Sequence, residues 1–265
     1  MTSDEEEQLW ASGVLSSDSP GGLLRAVFYY NGLNFVLRGG QEHRNLKISQ
    51  LNLRTVPDPE NPGDQIDCVE YSEHGSKNRP GGRHQLNLHN KTVVQYARPE
   101  LGERCHVYLL QLYLSKLPES AFQRDIFYMK ARTCIPDSPS DPWFTDIPVG
   151  HNTLDKFLKQ ILTEASVDTM NKSNHSLRAT AISRMYQKNV HEKLIMERSG
   201  HISREGVTSY ERTTPAQQKA VCKMLSNVPE KPSPSADGIP LPEVHSLDAT
   251  SSHSHPPPKI KQEVL

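Results

Sequence analysis

Apolar residues recur at helical spacing in most segments of the chain. The run LLRAVFYYNGLNFVL predicts a helix that ends near Arg38, where Gly39 and Gly40 stop it, and residues 41–47 predict a second short helix. Further helices are predicted from CHVYLLQLYLSKL, TLDKFLKQILTEA, LRATAISRMYQKN, HEKLIMERSG and PAQQKAVCKML. The pattern therefore predicts a mainly helical protein.

A smaller group of segments is typical of strands. ISQLNLRTV, QIDCVEYS and RHQLNLH are separated by turns rich in Pro, Gly, Asn and Asp, as a three-stranded antiparallel sheet requires. The predicted fold class is mixed α/β, mainly helical, with this small sheet. Lys77 falls in the turn between the second and third predicted strands.

The two ends of the chain differ in composition from its middle. Residues 1–20 predict a polar segment that is loosely ordered except near Leu9 and Trp10, residues 21–227 one folded domain, and residues 228–265, rich in Pro, Ser and His, a disordered tail. The ends carry net charges of −5 and −2 within an overall charge of −1, so residues 21–227 carry about +6. A basic domain suits a phosphate-binding surface, and a solvated lysine-rich face is the alternative interpretation.

Composition also argues against several classes of protein. The chain lacks a run of about 18 apolar residues, so no membrane span is predicted, and its acidic start does not resemble a secretory signal. The four cysteines lie far apart without a C-x-x-C pair, which argues against a zinc site of the usual spacing and against a disulfide framework. We expect reduced thiols, a cytosolic or nuclear location, and no metal or other cofactor.

The most distinctive chemistry lies in NHSLRATAISRMYQKNVHEKLIMERSGHISREGVTSYER. His175 and Arg178 are three residues apart, His201 follows a glycine, and Tyr210 comes nine residues after His201. A guanidinium group can hold phosphate oxygens, an imidazole can move protons near neutral pH, and a phenol can act as a nucleophile. Together these residues predict attack on a phosphodiester. Taken singly, each has an ordinary structural alternative: a surface ion pair, a buried histidine at a turn, or a tyrosine packed between helices.

This pattern resembles the catalytic box of tyrosine recombinases, the phage-integrase-like DNA strand transferases, in which H-x-x-R precedes a Gly-His pair and a nucleophilic Tyr. That family also carries an Arg at a helix end with a Glu soon after it, and a Lys in a β-hairpin. NGLNFVLRGGQEHRNLKISQL supplies Arg38 and Glu42, and DQIDCVEYSEHGSKNRPGGRHQLNL supplies Lys77. The order of these residues matches the family along residues 20–225.

A finer resemblance lies in LRGGQEHRNLKISQ, GSKNRPGG and SYERTTPAQQ. These segments are similar to the animal branch derived from Crypton transposons, whose domain also ends MYM-type zinc-finger proteins and a glutamine-rich nuclear protein. That branch is often domesticated. The resemblance therefore implies DNA-binding ancestry more directly than present activity.

The resemblance implies phosphate-binding roles for three basic residues. Arg38 and Arg178 would clamp the scissile phosphate and stabilise the charge that builds in the transition state. Lys77 would protonate the departing 5′ oxygen. The alternatives are an ion pair between Arg38 and Glu42 and a solvated lysine in a turn.

The resemblance also assigns the remaining catalytic roles. His175 would exchange a proton at the phosphate, and His201 would donate to a non-bridging oxygen. Tyr210 would attack phosphorus and form a 3′-phosphotyrosine bond. The glycine before His201 indicates a helix end and a turn that aims the imidazole inward.

Double-stranded DNA is the implied partner, bound by an oligomer if the protein recombines DNA. Active members place a helical clamp domain before the catalytic domain, whereas residues 1–20 alone precede the first core helix here. We therefore expect either a fragment or isoform of a longer protein, or a domesticated, catalytically silent module that binds DNA or nuclear regulatory proteins. Ile260-Lys261-Gln262-Glu263 fits the hydrophobic-Lys-x-Glu pattern for SUMO conjugation, which predicts modification of Lys261 and a nuclear location.

Overall fold

The computed structural model describes residues 1–73 and 91–225. Its α-helices are α1 (Ser3–Ala11), α2 (Pro20–Asn34), α3 (Gln41–Arg44), α4 (His106–Ser115), α5 (Glu119–Gln123), α6 (His151–Glu164), α7 (His175–Gln187), α8 (Glu192–Ser199), α9 (Arg204–Thr208) and α10 (Pro215–Leu225). Its strands are β1 (Leu51–Pro57), β2 (Gln65–Ser72), β3 (Thr92–Tyr96), β4 (Met129–Ala131) and β5 (Phe144–Pro148). Short 3₁₀ turns cover Ile48–Gln50 and Pro99–Arg104.

The contacts divide the chain into one unit, Met1–Lys219, and a second, Ala220–Leu265. The described part of the second unit is the last stretch of α10, whose side chains are not buried. Lys77, Lys261, the predicted strand at 83–89 and the predicted tail lie outside the described residues.

α2 runs through the core of the first unit. It is apolar around most of its circumference, as a helix enclosed by protein must be, and it packs against α4, α6 and α7. The Ser19 hydroxyl accepts a hydrogen bond from the Gly22 amide, and Pro20 occupies the first turn. No described helix, α2 included, has both the length and the apolar composition needed to cross a membrane.

The end of α2 differs from the prediction. The helix ends at Asn34 rather than near Arg38, because Val36 adopts a left-handed conformation with φ of 53°. Gly39 and Gly40 follow this turn and do not stop the helix. The residue that breaks the helix is thus a valine, which the sequence pattern gave no reason to suspect.

The N-terminal segment is also more ordered than predicted. Thr2 and Glu5 form a capping box at the start of α1, and Leu9 is fully buried. Its acidic side chains form the ion pairs Glu5–Lys172, Glu6–Arg184 and Glu7–Arg104. The burial of Leu9 agrees with the order expected near Leu9 and Trp10. The order of the acidic residues before them was not predicted, because the partners of these carboxylates lie far away in the sequence.

The main sheet is antiparallel and has the strand order β1-β2-β3. Leu53 lies opposite Val69, and Tyr71 opposite Val93. A three-stranded antiparallel sheet within a mainly helical protein confirms the predicted fold class. The third described strand is β3, which the sequence reading did not assign, and β4 and β5 form a further two-stranded sheet.

A buried polar network joins α2 to α3. The Asn31 amide oxygen lies 2.9 Å from His106 Nε2, and its amide nitrogen donates to the Tyr128 hydroxyl at 3.1 Å. His43 Nδ1 lies 2.9 Å from the same hydroxyl, and its ring stacks on Phe28. Burial lowers the pKa of both His43 and His106 to about 3, so both imidazoles are neutral at pH 7. The network fixes α3, and with it the segment that carries Arg38.

We expect Leu9→Ala to lower the free energy of unfolding by about 2–5 kcal/mol, because it removes a fully buried side chain from the contact between α1 and the core. Urea denaturation measures the change. Met170→Ala, at a side chain that is 71 % exposed, is the matched control and should change stability by less than about 0.5 kcal/mol. Equal effects of the two substitutions would contradict a docked α1.

Candidate phosphate-binding site

The site begins where α7 is tied to α6. Asn174 is buried, and its amide nitrogen donates to the Leu154 carbonyl at 2.6 Å. Its amide oxygen accepts from the Leu158 backbone at 3.1 Å. These bonds fix the first turn of α7, which starts at His175. The start of a helix presents free amide groups and positive potential, which favour an anion.

Tyr210 lies against His175. The phenol oxygen is 2.9 Å from His175 Nε2, and the Ser183 hydroxyl holds the Tyr210 carbonyl at 2.8 Å. Partial desolvation lowers the pKa of His175, and the guanidinium charges of Arg178 and Arg38 lower it further. His175 is therefore neutral at pH 7 and can accept the phenol proton.

Arg178 lies beneath this pair. It is 1 % exposed, and its Nη1 donates to the Val36 carbonyl at 2.6 Å. Its Nη2 lies 3.4 Å from both ring nitrogens of His201. Burial, and next the charge of Arg38, lower its pKa, but a guanidinium keeps its proton in proteins. The site therefore holds a permanent buried positive charge.

The second imidazole is held by the turn after α8. Gly200 adopts the left-handed conformation with φ of 72°, as predicted for a glycine that ends a helix. The Ser199 hydroxyl donates to the Ile195 carbonyl at 2.6 Å and lies 2.7 Å from His201 Nδ1. Because a hydroxyl has one hydrogen, this network assigns the imidazole proton to Nδ1 and leaves Nε2 as an acceptor facing Arg178.

Burial lowers the pKa of His201 to about 4, and the nearby positive charges, Arg178 first among them, add to this effect. His201 is therefore also neutral at pH 7. The centre of the Tyr210 ring lies 5.8 Å from the centre of the His201 ring and 5.9 Å from the centre of the His175 ring. The phenol thus stands beside two neutral imidazoles.

Arg38 faces the same site and is also paired. Its Nη1 lies 3.0 Å from a Glu42 oxygen, and its backbone amide donates to the other oxygen at 2.6 Å. Its charge nevertheless lowers the pKa of His175 and of His201. A Cβ atom on Gly39 would lie 2.6 Å from the His175 amide nitrogen. The Arg38 segment therefore packs directly on the start of α7.

Lys91 is a basic residue of the site that the sequence reading missed. It is buried, and its ammonium group donates to the Phe35 carbonyl and lies 3.4 Å from the Val36 carbonyl. Burial, and next the charge of Arg178, lower its pKa to about 7. The signal was present in the strand alternation, because Lys91 stands two residues before the buried Val93 and so shares its face.

The structure thus brings five of the six predicted residues to one place, and the sixth, Lys77, lies outside the described residues. Their catalytic roles stay predictions. Within the described ranges, no group of three or more His, Cys, Asp and Glu side chains is arranged to hold a metal ion. Clustered cations around a phenol can attract an anion, and a phosphodiester oxygen is the chemistry they match.

We expect Gly39→Ala to lower the free energy of unfolding by about 1–3 kcal/mol, because the new methyl group would meet the backbone of α7 rather than a flexible side chain. Gly63→Ala is the matched control, since nothing lies within 4 Å of its added Cβ atom. Chemical denaturation of both variants measures the difference. If the two cost the same, the Arg38 segment does not pack on α7 as described.

Residues 1–163 match the model of a family described as a domain of unknown function, DUF3504. The human transcriptional regulator QRICH1 is 28 % identical over 159 residues, which cover 59 % of this chain and 20 % of that protein. Mouse zinc finger MYM-type protein 3 is 30 % identical over 164 residues, 60 % of this chain and 12 % of that protein. The chain therefore spans a fifth or less of the length of these relatives.

Among solved structures, the chain resembles the XerH site-specific recombinase bound to palindromic difH substrate in a post-cleavage complex. The TM-score is 0.52 at 14 % sequence identity, and the match covers 86 % of this chain and 52 % of that one. A likeness at this identity shows the fold alone, which is that of the tyrosine recombinase catalytic domain. Because the match to the family model covers residues 1–163, more than half of the sequence, the chain belongs to the DUF3504 family.

Proposed function

We propose that this chain binds double-stranded DNA at the clustered cations and cleaves and rejoins one strand through Tyr210. One observation carries the proposal: the Tyr210 phenol lies 2.9 Å from Nε2 of a neutral His175, beside the cationic Arg178. A nucleophile paired with a base is the usual arrangement for covalent catalysis. Adjacent cations stabilise the charge that develops on a phosphate under attack.

In the cleavage step, the Tyr210 oxygen attacks phosphorus and its proton passes to His175 Nε2. The bond from phosphorus to the 5′ oxygen breaks, and the strand remains attached through a 3′-phosphotyrosine bond. Arg178 and Arg38 balance the charge on the non-bridging oxygens. The departing 5′ oxygen takes up a proton, a role that the family resemblance gives to Lys77.

Rejoining reverses these transfers. A 5′ hydroxyl attacks the phosphotyrosine, its proton is removed, and the phenol leaves with the proton returned by His175. One phosphodiester replaces another in each direction. The reaction therefore needs no external energy source, and the same residues serve both steps.

A second candidate is a domesticated nuclear module that binds DNA or regulatory proteins without cleavage. Both arginines support it: Arg178 is almost fully buried on the Val36 carbonyl, and Arg38 is paired with Glu42. A phosphate would have to compete with these partners. One matched relative is called a transcriptional regulator. Under this proposal the domain descends from a Crypton transposon, works in the nucleus with regulatory partners, and is conjugated to SUMO at Lys261.

We expect the wild-type protein to form a covalent adduct on a mixed-sequence pool of nicked suicide duplexes, and Tyr210→Phe to form none while it still binds the pool. The phenol oxygen is the atom that bonds to phosphorus, and its removal leaves the cations intact. Denaturing electrophoresis of labelled DNA measures the adduct, and fluorescence anisotropy measures binding.

Tyr186→Phe is the matched control, because Tyr186 is a tyrosine of α7 whose hydroxyl has no hydrogen-bond partner among the described residues. It should leave adduct formation unchanged. A folded wild-type protein that binds duplexes in a salt-dependent way but forms no adduct supports the silent module instead. Absence of any duplex binding at low salt contradicts the strand-cleavage proposal and leaves, of the second candidate, the module that binds regulatory proteins.

We expect duplex affinity to rise as the pH falls from 7.5 to 5.5, and to rise less in His201→Gln. Desolvation and neighbouring cations hold the pKa of His201 near 4 in the free protein, and a phosphate beside it would raise that pKa. Binding then takes up a proton, so lower pH favours the complex. Anisotropy titrations across this pH range measure the effect, and an unchanged slope in the variant would rule His201 out as the linked group.

A further inference from the structure

The turn after α2 is held in an unfavourable conformation. Val36 is fully buried and has φ of 53°, a left-handed value that β-branched residues rarely adopt. Such a conformation persists only where surrounding contacts impose it. The chain then runs through Leu37 to Arg38, so the path of this turn decides where the Arg38 guanidinium lies.

Two buried basic side chains donate hydrogen bonds to the carbonyl groups of this turn. Lys91 Nζ donates to the Phe35 carbonyl and lies 3.4 Å from the Val36 carbonyl. Arg178 Nη1 donates to the Val36 carbonyl at 2.6 Å. Arg178 belongs to the site already described. Lys91 comes from a different part of the chain, immediately before β3.

Lys91 also touches the other side of the site. A Cβ atom on Gly200 would lie 3.1 Å from Lys91 Cδ, so the aliphatic part of the lysine packs against the turn before His201. Its ammonium group lies 5.6 Å from the centre of the Tyr71 ring. One side chain thus spans from the end of α2 to the turn that carries His201.

We propose that Lys91 is a positioning residue, whose amine holds the left-handed turn at Val36 and thereby sets Arg38 at the phosphate site. The link to phosphate rests on the proposed function, whereas the hold on the turn does not. Lys91 is 4 % exposed and directs its amine at backbone carbonyls, so it acts through Arg38 rather than on the ligand. Of Lys91 and Arg38, only Arg38 has a partly exposed side chain that a ligand can reach.

The first experiment tests the hold on the turn without DNA. Lys91→Met removes the donor and keeps an unbranched side chain. We expect the backbone amide NMR signals of residues 36–40 to shift or broaden in this variant. Lys130→Met, at an exposed lysine of β4, is the matched control and should leave them unchanged. Unchanged signals in folded Lys91→Met would overturn the proposal.

The second experiment tests the action through Arg38. The salt dependence of duplex binding counts phosphate contacts, and we expect Arg38→Ala to lose about one. Lys91→Met should bind more weakly than wild type but lose no more than this one contact, and the double variant should match Arg38→Ala. A double variant that loses about two contacts would mean that Lys91 itself contacts phosphate. A Lys91→Met variant that binds duplex like wild type would mean that Lys91 does not position Arg38. Either result overturns the proposal.

The two experiments separate this proposal from the proposed function. If folded wild-type protein binds no duplex, the proposed function fails, while the amide signals still decide whether Lys91 holds the turn. If Lys91→Met does not fold, Lys91→Gln, which keeps a polar but shorter side chain, carries the same comparisons. Lys130→Met remains the control for both variants.

Discussion

The hydrogen bond from Arg178 to the Val36 carbonyl is the contact on which the site depends. It joins the first turn of α7 to the turn that follows α2, two segments far apart in the sequence. It lies at the left-handed turn that follows the central helix, it places a buried charge beside His201, and it holds the chain two residues before Arg38. The Val36 carbonyl lies beyond the end of the helix and accepts the hydrogen bond of the Arg178 guanidinium. Each of these buried polar groups thus has a hydrogen-bond partner.

Much of the fold was readable from the sequence because it follows local patterns. The periodicity of α4, α6 and α7 and the glycine after α8 depend on neighbouring residues, and they lie close to where they were predicted. The order of residues that resembles the tyrosine recombinase family predicted the site residues Arg38, His175, Arg178, His201 and Tyr210. What failed were features set by distant contacts. The helix α1 contacts basic partners far along the chain, and Arg178, also distant in the sequence, contacts the turn that follows α2.

The site gathers groups that repel one another. Burial and mutual repulsion lower the pKa of Lys91 and of His201, so each is held in surroundings that favour its neutral form. Groups arranged in this way cost stability in the empty protein, and an arriving anion would relieve part of that cost. Lys91 was not predicted because a lysine is rarely buried, although its alternation with Val93 places it on the buried face.

The acidic helix α1 acts as an internal counter-ion for the domain. Its carboxylates neutralise Lys172, Arg184 and Arg104 at contact distance. Charge that is cancelled within the molecule adds little to its long-range field, which salt already limits to roughly 8–10 Å. A polyanion approaching the domain would therefore experience fewer basic residues than the sequence contains, and its approach would be governed more by where the remaining cations stand than by their number.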